Sequence, residues 1–142
     1  MMEQGESGAL DQWPEPRKTM DAEPFWEGVA ANKLLYQHCP SCSQIVWPAH
    51  SVCPHCDATG LVWKESAGKG AIYSYSTVMR PPTPIWNEKA PYTVGIIHLD
   101  EDYYFFSEID EPWEEMEVGR RVEVTYIQRD QMRLPVFKFA AA

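Results

Sequence analysis

Four cysteines stand as two pairs, Cys39-Pro40-Ser41-Cys42 and Cys53-Pro54-His55-Cys56, with ten residues between the pairs. A C-P-x-C turn is tight enough to aim two thiolates at one point, and two such knuckles on facing hairpins complete a tetrahedral sulfur cage. Zinc is the expected occupant, and a rubredoxin-type iron site, which uses the same geometry, stays open. Four thiolates leave no coordination position for substrate, so the expected role is structural: the ion folds a short segment that has no core of its own. Disulfides are the competing reading, but two vicinal pairs at this spacing make a poor disulfide framework in a reducing compartment.

The histidines add little to this. His38 and His55 flank the knuckles, yet the cage is complete without them, and they are expected to face solvent or bond to backbone. His50 and His98 have no carboxylate or nucleophile at a recognisable spacing and read as ordinary polar positions. There is no Ser/His/Asp arrangement, no Gly-rich phosphate loop and no cysteine outside the two pairs, so any chemistry is expected to reside in a partner.

The elements that must position the cage follow from pattern. Residues 1–20 are rich in Glu, Gln, Gly, Ser and Pro without periodicity and read as a disordered tail. Over residues 21–34, Asp21 as a cap, Glu23 and Pro24 in the first turn and Phe25, Trp26 and Val29 on one face predict a short amphipathic helix. That face either docks a partner or covers the ribbon's own apolar side. The ribbon occupies 35–66, with Leu35 to His38 leading into the first knuckle, Gln44 to Trp47 leading out, and Leu61 to Trp63 closing it.

From 67 to 142 the chain reads as five extended segments: Gly70 to Met79, Tyr92 to Leu99, Tyr103 to Ile109, Arg121 to Gln128 and Pro135 to Phe139. Asp100-Glu101-Asp102 reads as a hairpin turn, Arg80 to Asn87, with three prolines, as a stiff extended surface loop, and Asp110 to Glu117 as a short helical or turn insertion. Five short antiparallel strands with one longer connection between the third and fourth predict a Greek-key barrel of the OB type, making the whole mainly β. In Tyr103-Tyr104-Phe105-Phe106 alternation is abandoned, so one set of rings should fill the barrel and Tyr104 and Phe106 should meet another surface.

Charge narrows the function. Twelve Lys and Arg stand against twenty-one Asp and Glu, for a formal charge of −9, and from Leu99 to Glu117 there are nine acidic residues and no basic one. A phosphate backbone would be repelled there, which disfavours a stand-alone nucleic-acid module, the main rival reading. Arg120, Arg121, Arg129, Arg133 and Lys138 are expected to alternate outward as solvated positions. No apolar run approaches the ~20 residues of a membrane span, and MMEQGESGAL lacks a signal peptide's basic start and apolar stretch, so a cytoplasmic location is expected.

In order, Phe25-Trp26-Glu27-Gly28, the two cysteine pairs with Trp47-Pro48 between them, Gly68-x-Gly70-x-x-Tyr73-Ser74-Tyr75, Val118-Gly119-x-x-Val122-x-Val124 and Leu134-Pro135-Val136-Phe137 resemble the zinc-ribbon/OB-fold family first catalogued as domain of unknown function thirty-five. The resemblance covers about residues 21 to 139. It implies a helix, a rubredoxin-like ribbon and an OB barrel. It also implies a non-catalytic accessory subunit that assembles with thiolase-superfamily enzymes, namely thiolases, acyltransferases or aldolases, and helps guide a CoA-linked substrate in isoprenoid-precursor, steroid or aromatic-acid metabolism. On that expectation Lys64, Lys69, Arg80 and Lys89, with Tyr73, Tyr75, Trp86 and Tyr92 nearby, are candidates to contact the acyl-CoA at the partner's active site. Phe25, Trp26, Val29, Trp86, Tyr104 and Phe106 are candidates for the partner interface.

Overall fold

The computed structural model describes residues 12–141. Helix α1 (Glu23–Ala30) precedes three short strands, β1 (Leu35–His38), β2 (Ile45–Val46) and β3 (Val62–Glu65), which pair antiparallel in the order β2-β1-β3. Then come β4 (Lys69–Val78), a helical turn α2 (Pro84–Asn87), β5 (Tyr92–Leu99), β6 (Tyr104–Ile109), a 3-10 turn at Trp113–Glu115, β7 (Arg121–Arg129) and β8 (Met132–Phe139). These five strands form a closed barrel in the order β4-β5-β6-β8-β7, with β7 returning to β4. The expected OB-type barrel is present, with one seam different from an all-antiparallel set: β6 and β8 run parallel and meet at one registered pair, Ile109 and Phe137.

Helix α1 begins with Pro24 in its first turn, where a missing N–H is no loss. Asp21 does not cap it. The N-cap is Ala22, whose N–H donates to the Thr19 carbonyl at 3.1 Å and lies 3.3 Å from Thr19 Oγ1. The helix stops at Ala30 because Asn32 turns left-handed (φ 62°) and the N–H groups of Ala31 and Lys33 fold back onto the Gly28 carbonyl. Lys33 and Leu34 therefore lie beyond it. Phe25, Gly28 and Val29, at helical spacing, form the buried face.

Two expected elements are redrawn. The proline-rich loop is not wholly extended: Pro84 opens α2, where a fixed φ suits the first turn of a helix. The last strand starts at Met132 rather than Pro135, and Pro135 sits inside it opposite Tyr126. Proline is tolerated there because β8 is registered with β6 at a single pair, so that edge needs few ladder donors.

The barrel's interior follows the period-two rule along β5, where Thr93, Gly95, Ile97 and Leu99 are buried and alternate with half-buried residues. Gly70 is required where β4 crosses β5, since a Cβ there would stand 2.4 Å from the His98 carbonyl oxygen. One apolar cluster runs through all three parts: Phe25 and Val29 from α1, Leu34 and Tyr36 from the ribbon side, and Ile97, Phe105 and Phe137 from the barrel. Trp47, one residue past β2, is wedged between Phe25 (4.9 Å between ring centroids) and Phe105 (5.2 Å).

Of the segment read as a tail, residues 1–11 lie outside the described residues; residues 12–20 carry no helix or strand. Trp13 stands edge-on to Trp86 at 4.8 Å, with the Arg129 guanidinium 4.4 Å from its ring. No helix among the described residues is long and apolar enough to cross a membrane.

Candidate metal centre and outer surfaces

The two knuckles are built alike. In each, the first cysteine's carbonyl accepts the N–H of the residue four places on (Ser43 at 2.8 Å, Asp57 at 2.9 Å). In each, its own N–H donates to the carbonyl five places on (Gln44 and Ala58, both 2.9 Å). The turn closes in both through a left-handed residue, Ser43 (φ 63°) and Asp57 (φ 62°). This repetition brings the four Sγ atoms of Cys39, Cys42, Cys53 and Cys56 within 4.8 Å of one another. Cys39 and Cys56 are 3.6 Å apart and Cys42 and Cys53 are 3.7 Å apart. A tetrahedron with metal–sulfur bonds of about 2.3 Å has edges of about 3.8 Å, so the cage fits one tetrahedrally held metal ion.

Electrostatics agree with that fit. The N–H of Cys42, aided by that of Ser41, lowers the Cys39 thiol to about 7. Cys56 moves the other way: the Ala58 N–H favours its thiolate, but burial and the three neighbouring sulfurs push it up to about 12. Four thiolates at this separation repel one another, and a cation at the centre removes the conflict. Neither flanking histidine belongs to the cluster of candidate ligands. The His55 N–H lies 3.4 Å from Cys53 Sγ.

The cage is tied to the rest of the molecule by Gln37. Its side chain, buried in β1, donates to the His50 carbonyl and accepts the His50 N–H, both at 2.8 Å. This pins the inter-knuckle segment to the sheet three residues before Cys53, and the His50 ring nitrogen Nδ1 lies 2.7 Å from the Pro48 carbonyl oxygen.

The residues read as CoA contacts fall in two places. Lys64 in β3 and Lys69 at the start of β4 are exposed near the ribbon, whereas Arg80 and Lys89 follow the far end of β4, roughly 30 Å of extended backbone away. Lys89 is engaged, its Nζ 2.8 Å from Glu108 Oε1. A β-bulge between Ile72 and Ser74 throws Tyr73 outward, while the Tyr75 hydroxyl donates to the Met116 carbonyl at 3.3 Å. Trp86 and Tyr92 pack at 4.8 Å beside the barrel.

The interface candidates divide as well. Phe25 and Val29 turn inward and are consumed by the chain's own core, so α1 covers the chain itself with that face. Trp26 and Trp86 are half-buried, while Tyr104 is 48% and Phe106 68% exposed. Tyr103 and Phe105 fill the core, as expected of the alternate set. Around Tyr104 stand the Tyr73 edge at 5.0 Å and the His98 imidazole, stacked at 4.7 Å. His98 Nε2 is 2.8 Å from Asp102 Oδ1, a pairing the spacing alone concealed: four residues apart in a strand means separation unless a tight hairpin intervenes. The acidic stretch is also less bare than its sequence. Asp100 meets Arg121 through two hydrogen bonds of 2.8 and 2.7 Å, Glu108 meets Arg129 at 3.1 Å and Asp110 meets Lys138 at 3.6 Å. Those later cations are thus ion-pair partners rather than merely solvated positions.

Comparison with known proteins adds the following. Residues 26–62 match the family "ChsH2, rubredoxin-like zinc ribbon domain" and residues 63–126 match "ChsH2, C-terminal OB-fold domain". A "DUF35 domain-containing scaffold protein" of Methanothermobacter thermautotrophicus is 34% identical over 95 residues, covering 66% of this chain and 71% of that protein. A "Probable enoyl-CoA hydratase alpha subunit" of Thermomonospora curvata is 28% identical over 127 residues, and this chain spans 39% of its length. Among solved structures, a chain of "Ltp2-ChsH2(DUF35) aldolase" superposes with a TM-score of 0.82 at 28% identity, covering 89% of this chain and 100% of that one. A DUF35 protein of Sulfolobus solfataricus shares the fold, with a TM-score of 0.62 at 17% identity over 87% of each chain.

Proposed function

This chain belongs to the DUF35 family, and on that footing we propose that it is a non-catalytic, zinc-binding accessory subunit of a thiolase-superfamily enzyme that acts on a CoA thioester. What carries the reading is its likeness, from end to end of the matched chain, to the ChsH2(DUF35) component of an aldolase that also contains Ltp2. The outward rings of Tyr73, Tyr104 and Phe106 support it, because large aromatic groups left on one sheet face are the residue types that anchor protein interfaces. A four-sulfur cage supports zinc in a structural role, since it offers substrate no open position.

Contact with the acyl-CoA is the finer part of the proposal. Lys64 and Lys69 with Tyr73 at one end of β4, and Arg80 at the other, are the cationic groups that could meet it. Because they stand at opposite ends, Lys69→Glu and Arg80→Glu are tested separately, and whichever end meets the substrate raises the acyl-CoA KM of the complex.

The direct test is co-expression with thiolase-like candidates followed by size exclusion, metal analysis and assay. The expected result is a stable hetero-oligomer whose turnover requires both chains. Turnover of an acyl-CoA by this chain alone would overturn the proposal, as would its remaining monomeric beside every candidate. A salt-dependent oligonucleotide shift at physiological ionic strength would favour the nucleic-acid reading instead.

A further inference from the structure

Between the barrel, the ribbon, α1 and the segment that precedes α1 lies a cavity of about 690 Å³. That is within the ordinary range for small-molecule sites. Its walls are aromatic and come from every part of the chain: Trp13, Trp26, Trp47, Trp86, Phe105 and Phe106. Leu134, Pro135 and Val136 of β8 complete the apolar lining.

One edge differs. Glu108 accepts from two cations, Lys89 Nζ at 2.8 Å and Arg129 Nη2 at 3.1 Å, and the side chains of Glu108 and Arg129 are each only 10% exposed. The Arg129 guanidinium lies 4.4 Å from the Trp13 ring and 5.2 Å from the Trp86 ring. Among the described residues Glu108 is its one carboxylate partner; Arg17, at the mouth of the same cavity, is exposed. Two cations, Lys89 and Arg129, therefore share one carboxylate at the cavity's edge, in a chain whose formal charge is −9. An excess positive charge on a guanidinium only one-tenth exposed and walled by indoles is unfavourable until an anion joins it.

We propose that this cavity binds a small apolar carboxylate, a hydrocarbon chain or ring bearing one ionised carboxyl group. Its body lies among Trp26, Trp47 and Phe106, and its carboxylate meets the N–H donors of Arg129 that, among the described residues, Glu108 does not take; the planar fork suits a carboxylate. The proposal does not rest on the partner-subunit reading, although Phe106 belongs to both surfaces: the ligand is a free acid, and no second chain is needed to complete the walls.

The test is calorimetric titration of the full chain with monomeric decanoate, decanol and decanoyl-CoA, alongside bromine-labelled decanoate. Four of the six tryptophans line the cavity, so the bromine should quench indole emission. Decanoate should bind one per chain and about tenfold more tightly than decanol. Arg129→Gln should remove that preference while leaving decanol unchanged, and Glu108 keeps Lys89 as a partner in the variant. Trp13→Ala, a change outside the barrel, should weaken both ligands. Equal affinity for acid and alcohol would overturn the proposal, as would parental affinity in Trp13→Ala. Binding of decanoyl-CoA without decanoate would assign the cavity to the partner's substrate, and binding only to phosphatidylcholine vesicles would assign it to a lipid surface; either result also overturns it.

Discussion

The indole of Trp47 lies 5.2 Å from the ring of Phe105, and Trp47 directly follows β2, the strand that leaves the first cysteine knuckle. Metal cage and barrel interior are therefore separated by a few residues of ordered chain. Purified protein should contain one zinc per chain. Cys53→Ser or a strong chelator should lower the Tm by more than about 10 °C and alter the near-ultraviolet dichroism of the aromatic core. Metal analysis with thermal melts checks this; a lost ion with an unchanged aromatic signal would contradict the linkage.

Gln37 is buried and satisfies both backbone groups of His50. Gln37→Leu keeps the bulk but leaves a partly buried N–H and C=O without partners, a loss of about 1–3 kcal/mol. Urea titration of the metal-loaded protein measures it. Gln37→Glu, which keeps the acceptor but sets a buried carboxylate oxygen against the His50 carbonyl, should cost at least as much.

Gly70 in β4 pairs with Leu99 of β5, and an added Cβ would clash with the His98 carbonyl oxygen. Gly70→Ala must push two backbones apart, and a destabilisation of about 1–3 kcal/mol is expected. Gly60→Ala is the control for added bulk, since nothing lies within 4 Å of its Cβ position; its cost comes instead from a positive φ of 86°.

The paired hydrogen bonds from Arg121 hold the Asp100 carboxyl below its ordinary value of 3.8. A carboxyl lowered on folding adds stability above its unfolded value, and that stability is lost as pH falls through the folded value. Both side chains are about half exposed, so Asp100→Asn should cost only about 0.2–1 kcal/mol at neutral pH. Its clearer mark is on the acid limb: below about pH 4, Tm should fall less steeply in the variant than in the parent.

Phe106 is 68% exposed, so Phe106→Asp should leave the Tm within a few degrees while weakening assembly with the catalytic subunit at least about tenfold. Size exclusion and calorimetry of the mixed chains read the two effects separately. Unchanged assembly would move the interface off this face.

What could be read from sequence was what depends on neighbours along the chain. The cysteine cage rests on two short turns, and β5 declares its inward face through Thr93, Ile97 and Leu99 at period two. What could not be read depends on strands that arrive from elsewhere. The bulge that ejects Tyr73 exists only in register with β5, and the His98–Asp102 pair exists only because the chain reverses between them. Pro84 is compatible with an extended loop and with a first helical turn, and the packing of Trp86 against Trp13 and Tyr92 accompanies the second. The apolar face of α1 was equally suited to a partner or to its own chain; Phe25 against Trp47 and Phe105 decides it.

Helix α1 rests partly on β8, through a core in which Phe25 neighbours Phe105 and Phe105 neighbours Phe137. Among the described elements a ribosome delivers α1 before the eight strands and β8 after the other seven. Until β8 emerges, Phe25 and Val29 have only part of their cover, from Trp47 and β1, and the knuckles can load their ion before the barrel shuts. Synthesis thus sets an order of events: metal before closure, with α1 waiting for β8 to complete its cover.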